Sequence, residues 1–213
     1  MRKLKAARRP EIVGAAVELA AERGPAAVSM RSVAARLGLT PMALYGYFRG
    51  KDDLLDAVAC HLMGLLPEPG AELPPLERLR RLAGGLRDLA RAHPALAGLL
   101  FTAGASAADE ALVVTDRWYA ALLDAGVPAA DVPRLERLLT TFVAGFVLSE
   151  VEGRFAAARR AARSRRARFA PADLPGHHRL GTRLDPDVAW DTEFGDDLTA
   201  LLGVVEAAAL RDS

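Results

Sequence analysis

Apolar positions recur every three or four residues along most of the chain, which is the spacing of one face of an α-helix. Between Pro10 and Arg23, for example, Ile12, Ala16 and Leu19 fall on one side. No segment alternates apolar and polar residues as a half-buried strand does. Ala, Leu, Arg and Glu, all strong helix formers, dominate the composition. The pattern therefore predicts an all-α fold.

Caps and helix breakers divide this pattern into elements. Ser29 and Thr40 are favourable N-caps, Pro41 suits a first helical position, and Gly38 separates the two short helices that these caps open. The predicted helices are Pro10–Arg23, Ser29–Leu37, Thr40–Phe48, Lys51–Leu66, Leu76–Ala92, Pro94–Thr102, Asp109–Ala125, Val132–Ala157 and Pro186–Leu210. The segment Phe169–Leu184 holds two prolines, two glycines and a histidine pair, which predicts a loop.

Composition limits the class of protein. The 213 residues are 51% hydrophobic and 26% charged, which excludes a chain that is disordered throughout. The longest run without a charged residue, Ala92–Ala108, is shorter than the roughly 20 apolar residues of a membrane span. No apolar segment follows the basic start as in a secretory signal, and one cysteine forms no internal disulfide. We expect a soluble, cytoplasmic protein without a membrane partner, in which Cys60 is a buried apolar side chain.

Charge is distributed unevenly along the chain. Residues 1–51 contain ten Lys and Arg against three Glu, a balance of +7. Residues 52–213 contain 18 basic and 24 acidic residues, a balance of −6. A basic end on an acidic chain indicates a polyanion partner for that end, although a solvated basic terminus gives the same count.

Residues Ser29–Leu55 have the pattern of a helix-turn-helix. Gly38 and Leu39 form the turn, and the side chains predicted to pack the two helices together are Val33, Leu37, Leu39, Leu44 and Phe48. The second helix keeps one face free, which carries Thr40, Met42, Ala43, Tyr45, Gly46 and Tyr47. A free helix of this width fits the major groove of DNA, N-terminal turn first. From these residues alone, an accidental helix pair around a glycine turn is the alternative.

Residues from about Arg9 to Leu62 resemble the DNA-binding domain of the TetR family of bacterial transcriptional regulators. The matching positions are Glu22-Arg23-Gly24, Ser29, Arg31, Val33-Ala34, Leu37-Gly38-Leu39, Leu44-Tyr45, Tyr47-Phe48, Lys51 and Leu54-Leu55. The rest of the chain resembles the family only in style, as a helical body of the usual length. The resemblance implies a three-helix helix-turn-helix DNA-binding domain at residues 1–50. A helical effector-binding and dimerisation domain follows at residues 51–213, with helix 51–66 as the connector.

The resemblance also implies phosphate contacts. Lys51 matches a lysine that contacts a phosphate in the family, and it opens a helix, where free N–H groups favour an anion. Tyr45 and Tyr47 match phosphate-contacting positions too. The family more often has histidine where Tyr47 stands, but a phenol also donates, and packing is the alternative role of Tyr45. Ser29 and Thr40 are expected as caps that can also reach a phosphate.

Base recognition falls to Arg31 and to the free face of the second helix. Arg31 matches a position that reads a base in some members, and bidentate pairing to guanine suits it. A phosphate contact or a surface ion pair is the alternative for this arginine. Pro41, Met42, Ala43 and Gly46 cannot form bidentate hydrogen bonds with bases. We therefore predict that Met42 and Ala43 contact thymine methyl groups and that DNA shape supplies further specificity.

The helical body is expected to dimerise. The family dimerises through its last two long helices, here Val132–Ala157 and Pro186–Leu210, and a two-fold dimer reads a palindromic operator. The residues predicted for this interface are Leu135, Leu139, Phe146, Leu198, Leu201, Leu202 and Val205. Part of each apolar stripe must instead face the chain's own core, and both assignments remain open for every residue of the set.

A ligand pocket is expected between the middle helices. The resemblance implies that a small molecule binds there, tilts helix 51–66 and changes the spacing of the two recognition helices. The candidate lining residues are His61, Met63, Phe101, Trp118, Tyr119, Phe142 and Phe146, each with core packing as its alternative. This mostly apolar set indicates a hydrophobic or aromatic effector. Glu150 and Glu152 are expected in solvent, with pairing to a cation as the alternative.

The sequence thus predicts a ligand-responsive, dimeric repressor. The alternative is a helical small-molecule-binding protein or enzyme in which residues 1–50 are not a specific DNA reader. No catalytic pair, phosphate-binding glycine loop or metal-ligand cluster supports an enzyme, and no cofactor is expected. His177, His178 and Asp173 lack the spacing of a metal site. Seven arginines without an acid in Arg154–Arg168 predict a solvated helix end, with DNA or acidic lipid as alternative partners.

Overall fold

The computed structural model is helical and describes residues 2–102, 109–153, 165–166, 168–184 and 189–212. Its α-helices are α1 (Arg2–Arg23), α2 (Met30–Arg36), α3 (Pro41–Leu44), α4 (Lys51–Met63), α5 (Pro75–Ala92), α6 (Ala97–Thr102), α7 (Asp109–Asp124), α8 (Val132–Val151), α9 (Pro175–Leu180) and α10 (Trp190–Ala209). Short 3-10 helices span Pro25–Ala27, Pro94–Leu96, Gly181–Leu184 and Leu210–Asp212. These described ranges contain no β-strand, in agreement with the predicted all-α class.

The N-terminal helices pack around the apolar stripe of α1. Ile12, Ala16 and Leu19 are at most 3% exposed, as their spacing predicts. Helix α1 contacts α2 and α4, and α2 contacts α3. Helix α1 begins at Arg2 rather than at Pro10. The preceding Lys, Leu, Ala and Arg residues are strong helix formers, which accounts for a helix that continues through the proline.

Helix α4 connects the N-terminal helices to the body. It contacts α1 on one side and both α6 and α7 on the other. Leu54, Val58 and Leu62 are fully buried along it, whereas Cys60 is half-buried rather than buried as predicted. The 3-10 helix Pro94–Leu96 also contacts α1. The core is therefore continuous across the predicted boundary at residues 50 and 51, and that boundary stays a prediction.

The body is a layered helical bundle. Helices α5, α7 and α8 contact one another, α6 packs against α8, and α10 covers α8 from the other side. Trp118 of α7 and Leu139 of α8 are among the largest fully buried side chains. Phe194 and Leu198 bury the inner face of α10. No helix of the described ranges is both long and apolar enough to cross a bilayer.

The predicted loop Phe169–Leu184 is wrong in part. It contains α9 and the following 3-10 helix, because Pro175 occupies the first helical position and Gly181, with φ +53°, ends the turn. The predicted ends of the last two long helices, residues 154–157 and 186–188, lie outside the described residues. So does most of the arginine-rich segment Arg154–Arg168.

Candidate nucleic-acid interface

Two serines open the first helix of the helix-turn-helix. The Ser29 hydroxyl accepts a hydrogen bond from the Ser32 backbone N–H at 3.1 Å, and the Ser29 N–H donates to the Ser32 hydroxyl at 2.9 Å. The two hydroxyls also lie 2.8 Å apart. This reciprocal capping box satisfies two N–H groups of the first turn. The predicted cap is confirmed, and Ser32 is the partner that the sequence pattern left unassigned.

The turn between the two helices is fixed by a glycine. Gly38 has φ +66°, a conformation that side chains other than glycine rarely adopt. The Leu39 N–H then donates to the Ala34 carbonyl at 2.8 Å, which satisfies a carbonyl of the last turn of α2. Val33 and Ala34 are fully buried on this helix. The chain therefore leaves α2 in one defined direction and enters α3.

Helix α3 is a single turn, shorter than predicted. Thr40 caps it, since its hydroxyl accepts from the Ala43 N–H at 3.3 Å, and Pro41 is its first residue. Beyond Leu44 the backbone continues as turns, in which Tyr47 N–H donates to the Leu44 carbonyl at 2.8 Å. Glycine at position 46 weakens the helix at this point because it is a poor helix former. The backbone N–H groups of Gly46, Tyr47 and Phe48 still donate to carbonyls of this segment.

The recognition segment, residues 40–47, has one buried and one exposed side. Leu44 is fully buried and Phe48, just beyond the segment, is 1% exposed. On the opposite side Met42 is 78% and Tyr45 is 52% exposed. The other exposed residues of this segment are Thr40, Pro41, Ala43 and Gly46. Large exposed apolar side chains that are held by a buried anchor form a surface suited to docking.

Two cations flank the recognition segment. Arg31, in the first turn of α2, and Lys51, the first residue of α4, are both exposed. Neither forms an ion pair with any residue in the described ranges. The nearby Asp53 carboxylate accepts from the Arg49 backbone N–H at 2.7 Å and thereby fixes the turn that precedes α4. Exposed positive charge thus precedes and follows the recognition segment in the chain.

Arg9 connects α1 to the end of the recognition segment. Its guanidinium carbon lies 4.7 Å from the centre of the Phe48 ring, and Nη1 donates to the Tyr47 carbonyl at 3.5 Å. The sequence pattern placed Arg9 only in a basic start. The structure gives it a positioning contact, a cation–π interaction on the residue that anchors the segment.

Arg36 connects α2 to α1. It donates to both carboxylate oxygens of Glu22, at 2.7 Å and 2.8 Å, and to Glu18 at 3.2 Å. The hydrogen bonds from Arg36 hold the pKa of Glu22 below its usual range, against a smaller opposing effect of burial. The paired fork geometry fixes direction as well as distance. The angle between the first two helices is therefore held by polar as well as apolar contacts.

Comparisons with known proteins match this arrangement. The model of bacterial regulatory proteins of the tetR family matches residues 12–58, and the tetracyclin repressor-like C-terminal domain matches residues 66–184. An HTH-type transcriptional regulator of Saccharopolyspora erythraea is 33% identical over 168 residues, which are 78% of this chain and 71% of that protein. The chain belongs to the TetR family. It is a transcriptional regulator rather than an enzyme, which decides against the enzyme alternative.

Solved structures of similar regulators cover nearly the whole TetR-family chain. A putative transcriptional regulator from Streptomyces coelicolor A3(2) superposes with a TM-score of 0.74 at 27% identity, over 94% of this chain and 97% of that one. BioQ with its natural double-stranded DNA operator superposes with a TM-score of 0.67 at 26% identity, over 93% and 98%. The structural similarity therefore extends through the helical body, where the sequence resemblance was limited to length and helical character.

In this TetR-family chain the seven predicted pocket residues do not share one cavity. His61 is exposed because it lies outside the buried stripe of α4. Met63, Trp118 and Phe146 are buried in the core, and Phe101, Tyr119 and Phe142 pack partly against it. Tyr119 lines a surface groove on α7, whereas Phe142 and Phe146 line a different groove between α8 and α10. His61 is exposed in this structure, and its assignment to a ligand pocket stays a prediction.

The groove between the last two helices, called the α8–α10 groove, has an aromatic floor and an acidic rim. Its volume is about 390 Å³. It is lined by Thr141, Phe142, Gly145, Phe146, Ser149, Trp190, Glu193 and Asp197. Below it, Phe194 lies 5.7 Å from Phe142 and 5.1 Å from Phe146 between ring centres. The aromatic rings therefore hold α8 and α10 together.

Arg87 of α5 lies beneath this aromatic cluster. Its guanidinium donates to both oxygens of Glu150, contacts Asp191 at 2.8 Å, and lies 4.7 Å from the Phe194 ring centre. The hydrogen bonds that Arg87 donates to Glu150 raise the pKa of Arg87, against the opposing effect of burial. The prediction that Glu150 lies in solvent is wrong. Arg87 follows Ala83 by four residues, so it shares the buried stripe of α5, and that spacing is the signal for its role.

The seven residues predicted for the dimer interface lie mostly inside the chain. Leu135, Leu139, Phe146, Leu198, Leu202 and Val205 are all buried, and only Leu201 is half-buried. They form the contact of α8 and α10 with their own core. The outer surface, called the α8–α10 face, comprises Arg134, Arg137, Leu138, Thr141, Gly145 and Ser149 of α8 with Glu193, Asp197, Ala200 and Val204 of α10. The six buried residues pack against their own chain, and a further contact with a partner stays a prediction.

Proposed function

We propose that this TetR-family regulator is a dimeric repressor that binds a palindromic operator through Ser29–Phe48 and is released by a small, largely hydrophobic effector. The observation that carries the proposal is the exposed side of the recognition segment, where Met42 is 78% and Tyr45 is 52% exposed. Arg31 and Lys51 supply positive charge on either side of it in the chain. An exposed apolar surface between two cations matches the thymine methyl groups and phosphates of a major groove.

Phosphate contacts fall to Lys51, Tyr45, Tyr47 and Thr40. Tyr45 is better placed than Tyr47, whose ring packs partly against the core. The Thr40 hydroxyl accepts from the Ala43 N–H, so its own proton remains to donate to a phosphate. The Ser29 hydroxyl is engaged by Ser32, and we assign it to capping alone.

Base recognition falls to Arg31, Met42 and Ala43. The exposed guanidinium of Arg31 is assigned to a guanine edge, where two donors meet O6 and N7. Met42 and Ala43 contact thymine methyl groups. Pro41 and Gly46 add little bulk, which allows the backbone of the segment to approach the groove. The complex of BioQ with its double-stranded operator supports this use of the fold. The site of action is then the bacterial cytoplasm, where the operator lies.

Dimerisation is assigned to the α8–α10 face. A single recognition segment covers only a short half-site of the operator. A two-fold dimer presents two such segments, which read the two half-sites of a palindromic operator. Leu138 is 38% and Val204 is 39% exposed on this face, so apolar area remains to be buried by a second copy. Leu201, half-buried beside them, is retained from the predicted set.

The effector is assigned to the region where α4 meets α6 and α7. Met63, Phe101, Trp118 and Tyr119 lie on these helices and are mostly apolar. Helix α4 contacts both α1 and α7, so a ligand that favours one position of α4 changes the spacing of the two DNA-binding units. The same contacts are the physical route by which repression is relieved.

Selection from a random duplex library tests the proposal. The wild-type chain is expected to enrich one sequence with two-fold symmetry, and fluorescence anisotropy is expected to show binding that survives unrelated competitor DNA. A variant that combines Arg31→Ala with Lys51→Gln, folded by circular dichroism, should lose this preference. Enrichment of no motif, with binding that disappears at moderate salt for any sequence, would leave only a nonspecific basic surface. A panel of apolar aromatic compounds is then screened for release of the labelled operator.

A further inference from the structure

The α8–α10 face has opposite charges at its two ends. Phe142 stacks on Phe194, and Phe146 contacts Trp190 at 6.4 Å between ring centres, so residue numbers rise along α8 as they fall along α10. The two helices are therefore antiparallel. The N-terminal end of α8 consequently lies at the opposite end of the face from the N-terminal end of α10.

The basic end carries Arg134 and Arg137 of α8. Both are exposed, and Arg137 forms no ion pair with another described residue. Arg134 has only Asp131, three residues earlier, as a partner at 3.1 Å. Exposed pairs of this kind contribute little and exchange readily. Both guanidinium groups are thus available to a second molecule.

The acidic end carries Glu193 and Asp197 of α10. Both are exposed, and neither forms an ion pair within the part of the chain that the structure describes. They form the rim of the α8–α10 groove, whose floor is made by the aromatic rings of Phe142, Phe146 and Trp190. Carboxylates above aromatic faces are the chemistry that receives a guanidinium, through ion pairing and cation–π contact together.

The middle of the face is apolar and closely approachable. Leu138 is exposed there. Val204 lies ten residues beyond Phe194 on the antiparallel helix, and therefore beside the first turn of α8 at the basic end, where it is also exposed. Gly145 lies inside a helix, where glycine is unfavourable, yet a Cβ added to it would meet no atom of the described residues within 4 Å beyond its neighbours and its own helix backbone. Packing among the described residues therefore does not require this glycine, and its lack of a side chain leaves room for another helix to approach.

We infer that the α8–α10 face is self-complementary in charge, so that the arginine pair of one copy binds in the acidic, aromatic groove of the other. This inference rests on the proposed dimer and specifies its register. A two-fold axis perpendicular to the helices reverses their direction, which brings the basic end of one copy against the acidic end of its partner, twice. Arg134 and Gly145 are eleven residues apart, about 16 Å along the helix, so the axis crosses α8 between them, near Leu138 and Thr141.

Charge reversal with mixing tests the register. One variant carries Arg134→Glu with Arg137→Glu, and the other carries Glu193→Arg with Asp197→Arg. Each alone places like charges together at both ends of the dimer, and each is expected to dissociate at least tenfold more readily in sedimentation velocity. An equimolar mixture restores opposite charges at both ends, so heterodimers are expected at wild-type affinity. Recovery on mixing also shows that both variants are folded.

Glu206→Arg is the matched control. Glu206 is an exposed acid of α10, but it lies two residues from Val204 and so on the other flank of the helix, and this variant should dimerise like the wild type. If both double variants dimerise normally, or if mixing does not restore dimerisation, the proposed register is wrong. A dimer with another register or through another surface would then remain the explanation. If the wild type itself sediments as a monomer at all concentrations, the proposed dimer fails, and the register fails with it.

Discussion

The guanidinium of Arg87 donates to both carboxylate oxygens of Glu150, at 2.9 Å and 2.7 Å, across the contact between α5 and α8. The Arg87 side chain is 7% and the Glu150 side chain 15% exposed. Desolvated charges are costly alone but stable as a pair, particularly with hydrogen bonds in the fork geometry. This pair therefore fixes the position of α8, and with it the outer face that we assign to the dimer.

Removing one member of the pair should destabilise the folded chain. Arg87→Met should lower the free energy of unfolding by about 3 kcal/mol, because it leaves the Glu150 carboxylate buried without a partner. The double variant Arg87→Met with Glu150→Met should recover much of that loss. Urea denaturation at neutral pH measures both. Arg91→Met, which removes an exposed partner of Asp191, is the control and should cost less than about 1 kcal/mol. Equal effects of Arg87→Met and Arg91→Met would contradict the buried-pair account.

Acid should weaken the contact between α1 and α2. The pKa of Glu22 is lowered in the folded chain by Arg36, so the stabilisation is present above the unfolded value of about 4.3 and is lost as pH falls through the lowered pKa. Glu22→Gln should therefore flatten the stability profile below about pH 5 relative to the wild type. Thermal unfolding between about pH 3 and 7 measures the difference. Glu11→Gln, at another exposed acid of α1, should leave the profile unchanged. A wild-type slope retained in Glu22→Gln would contradict the assignment.

Local chemistry made the helix-turn-helix predictable from the sequence. Ser29 and Thr40 cap helices through contacts within three residues, and Gly38 forms the turn through its own backbone freedom. Caps and turns depend on residues that are close together in the chain, so the sequence alone is enough to predict them. The predicted length of α3 is wrong because Gly46 is a poor helix former and the helix ends at Leu44.

Contacts between distant segments were not predictable in the same way. The apolar stripes of α8 and α10 can be recognised in the sequence. A period of 3.6 residues shows that a stripe is buried, but it does not show whether the chain's own core or a partner covers it. Leu139 and Leu198 are covered by their own chain. Arg87 was overlooked because a charged residue is usually exposed, and its partner Glu150 is far away in the sequence.

Lys51 should contribute to DNA affinity without sequence preference. Lys51→Gln removes the proposed phosphate contact, so affinity should fall similarly for matched and mismatched duplexes, and the slope of log affinity against log salt should decrease by about 1. Anisotropy titrations at four salt concentrations give the slope. Arg81→Gln removes an exposed cation of α5 in the body and should leave the slope unchanged. A change in base preference for Lys51→Gln would instead indicate that this lysine reads a base.

Met42 should recognise a thymine methyl group, and this contact can be removed from either the protein or the DNA. Met42 is 78% exposed, so Met42→Ala should leave the free energy of unfolding unchanged while affinity for the selected operator falls roughly tenfold from lost apolar contact. Replacing thymines of the operator one at a time by deoxyuridine removes only the methyl group. At the contacted position this replacement should weaken the wild type but not Met42→Ala, because the contact is already absent. If every deoxyuridine substitution weakened both proteins equally, the methyl group would be read by another residue, and Ala43→Gly is the variant to compare next.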